Sequence, residues 1–216
     1  MGFCQLDPSS VVGRVQASGT PARISSLGES LFRGILGFTV LSVAGFAPWA
    51  LAGRPLHRAV GEAGMYAVCA VTFIGLSGPL LHRLILGPGS LPRFYKLFGL
   101  SFALYSAAWI AAWMGLHRTN AHAAGLLGLF AGTVLMGGTI AWAFDEWRAA
   151  PASIAALFAL NAIGYFTGGW AEGALAKTSL PVAMLSWGVF YGIGLGAGLG
   201  LAFYFCQAGV RRRLSS

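Results

Sequence analysis

Three histidines are the side chains in this sequence best suited to bind a cofactor. His57 occurs in the segment RPLHRA, His117 in GLHRTN, and His122 follows five residues after His117. Imidazole nitrogen binds haem iron, copper and zinc, so a cluster of these three would make the protein a haem- or metal-carrying redox protein. No two of them have the i, i+4 spacing that preorganises a metal site on a helix. Surface histidines beside arginines, facing headgroups and water, are the competing interpretation, and the sequence indicates no particular cofactor.

Two short motifs around Ser77 and His122 contain residue types that perform nucleophilic catalysis. GLSG at residues 75–78 and AHAAGLLG at residues 121–128 resemble the serine and histidine motifs of the rhomboid intramembrane proteases. The resemblance implies a serine activated by a histidine, which requires the two side chains to lie within hydrogen-bonding reach. The topology predicted below places Ser77 and His122 near opposite faces of the membrane. We therefore predict no catalytic pair.

A glycine-rich segment near the carboxyl end has the letters of a nucleotide-binding loop. GIGLGA at residues 192–197 matches the G-x-G-x-x-A fingerprint, which needs a strand before it, a helix after it and an acidic residue about 20 positions later. No Asp or Glu follows Glu172, so we predict no nucleotide site. On a helix, four glycines instead form one stripe with a spacing of four residues: Gly188, Gly192, Gly196 and Gly200. Such a GxxxG stripe lets another helix approach closely; we expect that helix in the same chain, with a second copy as the alternative.

The elements that must position these residues are membrane-spanning helices. The chain has 216 residues, 56% of them hydrophobic and 9% charged, and a mean hydropathy of +0.71. Soluble domains contain about 25% charged residues. Six apolar runs each approach the roughly 20 residues that cross a bilayer: residues 31–53, 60–81, 94–116, 121–144, 152–175 and 181–207. The sequence therefore predicts an all-α integral membrane protein, a six-transmembrane-helix bundle in which the Gly-rich helices four to six pack tightly.

The distribution of Lys and Arg predicts the orientation of this bundle. With the amino terminus in the cytoplasm, ten basic residues fall on the cytoplasmic side: Arg14, Arg23, Arg33, Arg83, Arg93, Lys96, Arg148, Arg211, Arg212 and Arg213. Four fall on the other side: Arg54, Arg58, Arg118 and Lys177. Because cytoplasmic loops carry the excess of basic residues, both termini are predicted to be cytoplasmic. The net charge of +8 is thereby assigned to the membrane surface, and we expect no nucleic-acid partner.

Three domains follow from this topology. They are a flexible cytoplasmic tail over residues 1–30, a six-helix transmembrane domain over 31–207 and a basic cytoplasmic tail over 208–216. The short loops and the lack of a presequence lead us to expect a bacterial inner (plasma) membrane. The expected partners are the lipid bilayer and either other membrane subunits or a second copy of the protein.

Few polar groups lie in the middle of the predicted spans. No Asp, Glu, Lys, Arg or His falls there, although such residues usually mark proton and ion pathways. Asn161 is the one deep amide, and we expect it to line any substrate cavity together with the hydroxyls of Thr72, Ser77 and Thr133. The leading hypothesis is therefore non-catalytic: a subunit or assembly partner of a membrane complex, or a facilitator of a neutral or lipid-like small molecule.

Overall fold

Helices make up nearly the whole of the chain. The structure is a computed structural model in which residues 4–19 and 24–215 are described, and within these ranges it contains no β-strand. The α-helices of the described ranges are α1 (Pro8–Ser18), α2 (Leu27–Leu81), α3 (Ser90–Leu116), α4 (Ala121–Ala143), α5 (Ala150–Leu175), α6 (Leu180–Cys206) and α7 (Ala208–Ser215). Arg23, which the sequence assigns to the cytoplasmic side, lies outside the described residues.

Helix α2 is interrupted at two residues. Ala52 has φ −128° and ψ 18°, and Gly61 has a φ of 72°. The second value lies in the left-handed region, which glycine enters at little cost because it has no Cβ. The two halves of α2, residues 27–51 and 62–81, are therefore separate helical segments joined by a helical turn. The sequence predicts two independent helices here, whereas the structure connects them without an irregular loop.

The two halves of α2 lie side by side and run antiparallel. The ring of Phe73 packs against Gly45, where an added Cβ would lie 3.0 Å from a ring carbon. Closer to the interruption, the rings of Trp49 and Tyr66 meet with centroids 6.2 Å apart. Since residue numbers rise along one half while those of their partners fall along the other, α2 is a helical hairpin.

In the described part of the chain, five helices, α2 to α6, are long and apolar enough to cross a membrane. Large side chains cover their outer surfaces: Met114 is 70% exposed and Trp170 is 75% exposed. A soluble monomer rarely exposes an apolar surface of this extent, whereas lipid tails solvate it. The chain is therefore all-helical with the long apolar helices of an integral membrane protein, as the sequence predicts.

Helix α6 packs against α2 through the stripe of four glycines. A Cβ atom at Gly192 would lie 2.6 Å from the Cα of Thr39, and one at Gly200 would lie 2.6 Å from the carbonyl oxygen of Ser30. Gly196 meets the backbone of Gly34, and Gly188 lies more loosely against α2. The stripe therefore faces the first half of α2 within the same chain.

The opposite face of α6 packs against α5 in the same way. A Cβ atom at Gly164 would lie 2.6 Å from the carbonyl oxygen of Phe190 and 3.0 Å from the Cα of Gly194. One at Gly198 would lie 2.9 Å from the Cα of Leu157. Helix α6 is thus held between α2 and α5 at backbone-to-backbone distance on both sides.

Aromatic rings form two stacks along one side of α3. Centroids of neighbouring rings are 5.1 to 5.9 Å apart in the first stack, which consists of Phe94, Phe98, Phe102 and Tyr105. The second stack consists of Trp109, Trp113 and His117. Glycines of α4 accommodate these large side chains: Gly132 lies against Tyr105 and Gly128 against Trp109. Rings on one helix therefore fill the spaces that glycines leave on the other.

One end of the bundle, which we call the terminal end, collects both ends of the described chain. Val11 of α1, Leu86 of the connection after α2 and Val210 of α7 form a small apolar cluster there. The opposite end, the far end, holds the turn within α2 and the connections before α4 and α6. Where the sequence predicts a flexible tail, the structure places helix α1, which begins with Asp7 as its N-cap followed by Pro8.

Gln207 fixes the connection after α2 to the end of α6. Its side chain is 2% exposed. The Nε2 atom donates to the carbonyl oxygen of Leu84 at 2.8 Å, and Oε1 accepts from the Leu86 N–H at 2.8 Å. Both polar ends of the amide are satisfied, so the terminal end is held by hydrogen bonds as well as by apolar contacts.

Candidate ligand-binding site

A cavity of about 480 Å³ lies between the two halves of α2 and the adjacent sides of α3 and α6. Seven of its twelve lining residues are aromatic, and we call it the aromatic cavity. It is lined by Ser42, Gly45, Phe46, Trp49, Tyr66, Cys69, Ala70, Phe73, Ile74, Phe102, Trp187 and Tyr191. No Asp, Glu, His, Lys or Arg is among them. This composition suits an apolar ligand, with few groups to fix its orientation.

Ring contacts hold the walls of the aromatic cavity in place. Trp187 stacks on Tyr191 with centroids 4.8 Å apart, and Phe73 meets Phe102 at 4.8 Å. Phe46 makes an edge-on contact with Trp187 at 5.1 Å. Aromatic pairs at these separations add stability beyond the area that they bury. The rings that line the cavity are therefore packed against one another as well as against the space between them.

Ser42 is a lining residue of the aromatic cavity, and its hydroxyl packs toward α6, 3.6 Å from the position of a Cβ at Gly188. The residue is fully buried, and its Oγ has no hydrogen-bond partner among the described residues. A buried hydroxyl left without a partner costs free energy, because it has lost its bonds to water. Because this Oγ is not accessible even to water, the aromatic rings and not Ser42 form the surface that a ligand would contact.

Three polar side chains behind the cavity are joined by hydrogen bonds. The Tyr191 hydroxyl, on the cavity wall, donates to the Tyr105 oxygen at 3.3 Å. Asn161 Nδ2 donates to the same oxygen at 2.9 Å, and Asn161 is fully buried. Asn161 Oδ1 has no partner among the described residues. If the amide is turned by 180°, Tyr105 can donate to Oδ1, and Nδ2 then lacks a partner instead.

The structure separates the four residues predicted to line a substrate cavity. Asn161 reaches the aromatic cavity only through the two tyrosine hydroxyls. Ser77 donates to the carbonyl oxygen of Ile74 at 2.7 Å, a bond within its own helix. Thr133 donates to that of Leu129 at 2.8 Å in the same manner. Thr72 is half-buried, and neither it nor the other two hydroxyls line the aromatic cavity.

Sequence reasoning missed the residues that do form the site. Tyr105 and Tyr191 lie deep in their helices, and their hydroxyls need a partner there. That requirement was a usable signal, as was the spacing of three or four residues between the aromatic positions of α3. The exposed Ala70 and Ile74 on the cavity rim carry no such signal.

The three predicted cofactor histidines have different surroundings. His57 is exposed at the turn of α2, and His122 is exposed near the ring of Phe166. His117 stacks on Trp113, and its Nδ1 lies 2.7 Å from the carbonyl oxygen of that residue. Among the described residues, no three His, Cys, Asp or Glu side chains are grouped so that they could hold a metal ion.

A second cavity adjoins the aromatic cavity toward the far end. Its volume is about 650 Å³, and we call it the far-end cavity. Trp49 lines both cavities. The other lining residues are Ala50, Leu51, Gly53, Arg54, Pro55, His57, Arg58, Met65, Leu180, Pro181 and Met184. Its walls are apolar, and its charged groups are two arginines.

Comparison of the chain with protein-family models, with curated protein sequences and with solved structures finds no match.

Proposed function

We propose that the protein crosses the membrane six times and has both termini in the cytoplasm. A straight helix of the 55 residues of α2 would be about 80 Å long, against about 30 Å of hydrocarbon. The antiparallel halves of α2 each have the length of one crossing. The contact between α1 and α7 at the terminal end supports an even number of crossings.

The basic residues support this orientation. In the described chain the terminal end carries Arg14, Arg33, Arg83, Arg93, Lys96, Arg148, Arg211, Arg212 and Arg213, and the far end carries Arg54, Arg58, Arg118 and Lys177. The excess at the terminal end favours it as the cytoplasmic end. A bacterial plasma membrane is our proposal for the location, on the argument of the short connections.

The function that we propose is the binding of a lipid-like or neutral small molecule within the membrane, as a step in its transfer or presentation. The observation that carries this proposal is the aromatic cavity, which is lined mainly by rings and opens to the outer surface of α2 at Ala70 and Ile74. Aromatic rings that line a groove open to the bilayer offer an apolar molecule a large contact area, so this surface suits the binding of a lipid-like ligand.

The rim of the aromatic cavity supports entry of the ligand from the bilayer. Ala70 and Ile74 line the cavity and are exposed on the outer surface of α2. Their neighbour Val71 is 72% exposed, which is typical of a lipid-facing position. A lipid-like molecule can therefore reach the cavity without crossing water.

The experiment that tests this function fills the cavity. Ala70→Phe introduces a ring into the space between the halves of α2, and we expect it to displace a bound molecule. The full-length protein is extracted in mild detergent, and native mass spectrometry measures the mass that remains bound. The wild type should carry a lipid-like mass that Ala70→Phe lacks.

Ala107→Phe is the matched control. Ala107 is exposed on α3 and does not line either cavity. The control adds the same ring to a lipid-facing surface, and it should retain the bound mass. Equal retention by the two variants, or equal loss, would contradict binding in the aromatic cavity.

A further inference from the structure

The aromatic cavity and the far-end cavity lie one after the other along the first half of α2, and we call the two together the path. Trp49 lines both of them, so the two spaces adjoin at its ring. Ser42 and Leu51 lie at the inner and outer limits of this path on the first half of α2. Nine residues of helix between them correspond to about 14 Å. Half of a bilayer's hydrocarbon is about 15 Å thick, so the path matches one acyl chain.

The outer limit of the path carries unpaired positive charge. Arg54 and Arg58 line the far-end cavity, and both are exposed. Neither guanidinium has a hydrogen-bond or ion-pair partner in the part of the chain that the structure describes. The lining of the far-end cavity contains no carboxylate. Because a guanidinium donates several hydrogen bonds in a fixed plane, it suits a phosphate or carboxylate group.

The inner limit of the path is apolar except for hydroxyls. The rings of Phe46, Phe73 and Trp187 surround the space there, and Ser42 lies beside them. A cationic or zwitterionic headgroup would find no counter-charge in this region. The arrangement is therefore polarised, with a place for an anion at the far end and a place for a hydrocarbon chain inside.

We propose that the occupant is an anionic lipid of the leaflet at the far end, with one acyl chain in the aromatic cavity and its headgroup between Arg54 and Arg58. This inference rests on the proposed function, because it names the class of the ligand that binds in the same site. The length of the path and its apolar inner part select a membrane lipid over a free anion. Two arginines select a negatively charged headgroup over a neutral one.

Fluorescence quenching by brominated lipids tests the proposal. The full-length protein is placed in bilayer nanodiscs of phosphatidylcholine that contain increasing fractions of either phosphatidylglycerol or phosphatidylcholine with brominated acyl chains. Bromine quenches a tryptophan that it contacts, and Trp49 and Trp187 line the site. The Ala70→Phe variant gives the quenching of the tryptophans outside the cavity. We expect the site-specific quenching to saturate at a lower fraction of brominated phosphatidylglycerol than of brominated phosphatidylcholine.

The double variant Arg54→Gln/Arg58→Gln should lose this preference and still be quenched by either lipid. A basic residue near a membrane surface contributes roughly a five-fold preference for anionic lipid, and high salt screens it. The matched control is Arg118→Gln/Lys177→Gln, which removes the same charge from the same end at positions outside the far-end cavity. This control should keep the preference, and raising NaCl should weaken the preference of the wild type.

Three outcomes distinguish failure of this inference from failure of the proposed function. Equal quenching by the two lipids, with Ala70→Phe still less quenched than the wild type, would overturn the anionic headgroup and leave the cavity as a binding site. The same holds if both double variants lose the preference equally. Quenching of the wild type that equals that of Ala70→Phe for every lipid would overturn the proposed function itself.

Discussion

The Tyr105 hydroxyl is hydrogen-bonded to two polar side chains inside the bundle. We therefore expect its removal to destabilise the protein more than removal of either partner. Tyr105→Phe removes the shared partner of Asn161 and Tyr191, so that both are left unpaired. Leaving buried polar groups without partners costs about 1–3 kcal/mol. Asn161→Leu and Tyr191→Phe each break one bond, and such bonds in membrane proteins average about 0.6 kcal/mol. We expect the order of destabilisation to place Tyr105→Phe first.

Unfolding in mixed micelles, followed by helix signal as a denaturing detergent is added, measures this order. The double variant Tyr105→Phe/Asn161→Leu provides the control, because it removes the orphaned amide together with the hydroxyl. It should be more stable than Tyr105→Phe alone. A single variant of Tyr105 that is no less stable than the Tyr191 variant would show that the three groups do not act as a chain.

Asp7 makes the docking of α1 dependent on pH. Burial alone would raise the pKa of Asp7, but hydrogen bonds from Ser9 and Ser10 lower it from its ordinary 3.8 to about 2. A pKa that is lower in the folded state stabilises that state fully above the ordinary value, and the stabilisation is lost as the pH falls through about 2. The protection of the α1 amides in the wild type should therefore fall, relative to that in Asp7→Asn, as the pH drops from about 4 to about 2.

Asn is a good N-cap and does not titrate, so Asp7→Asn isolates the charge from the cap. Comparing the two proteins at each pH by hydrogen exchange removes the intrinsic dependence of exchange on pH. Asp7→Ala should lower the free energy of opening of α1 by about 1 kcal/mol at all pH values, so that its amides exchange faster. A wild-type α1 that follows Asp7→Asn throughout would show that the Asp7 carboxylate does not hold the helix.

A buried polar residue could be predicted from the sequence where its polarity alone distinguishes it from its neighbours. Asn161 is the one amide deep in a span, and it is indeed fully buried. The hydroxyl of Ser42 looks the same in sequence as those of Ser77 and Thr133, which bond to their own helices. The difference arises from the helix that each one faces, and a single sequence does not encode that choice locally.

Two glycines of α5 provide a test at the scale of the element. Gly164 touches the backbone of α6, whereas Gly169 has no atom of another residue near the position of its Cβ. Gly164→Ala should force α5 and α6 apart and destabilise the protein by about 1–3 kcal/mol. Gly169→Ala should be neutral or stabilise it by up to about 1 kcal/mol, because alanine favours the helix.

Thermal unfolding of the purified proteins compares the two substitutions on one helix. If helix propensity alone decided the effect, both alanines would raise the melting temperature. A stable Gly164→Ala variant would mean that the close approach of α5 and α6 is not needed for folding.

The positions of the long helices could be predicted from the sequence, whereas the helical turn within α2 and helix α1 could not. The apolar runs from residue 121 onward match α4, α5 and α6 within a few residues, because connections of polar residues separate them. The segment GRPLHRAVGE at residues 53–62 marks the break in α2 at Ala52 and Gly61, but its composition does not show that the turn itself is helical. Helix α1 was missed although Asp7 and Pro8 form a helix start signal, because its apolar residues are few and pack only against α7 and the connection after α2.

At the scale of the whole molecule, hydropathy determines the class of the protein and tertiary contacts determine its cavities. Segments that cannot be solvated by water must be helical in lipid, so the class could be derived from composition. The aromatic cavity depends on how the two halves of α2 pack against α3 and α6 and on which rings meet there. Those relations join residues as distant in sequence as Ser42 and Tyr191.

If the protein crosses the membrane six times, the two ends of the second half of α2 lie on opposite sides of the membrane. Glu62 follows the turn at the far end, and Pro88 lies in the connection at the terminal end; both are exposed. In a background with Cys4, Cys69 and Cys206 replaced by alanine, Glu62→Cys should react with an impermeant maleimide from outside sealed right-side-out vesicles. Pro88→Cys and Ser215→Cys should react only after the vesicles are permeabilised. If α2 crossed the membrane once, Glu62→Cys and Pro88→Cys would react from the same side, and labelling of Ser215→Cys from outside would reverse the orientation.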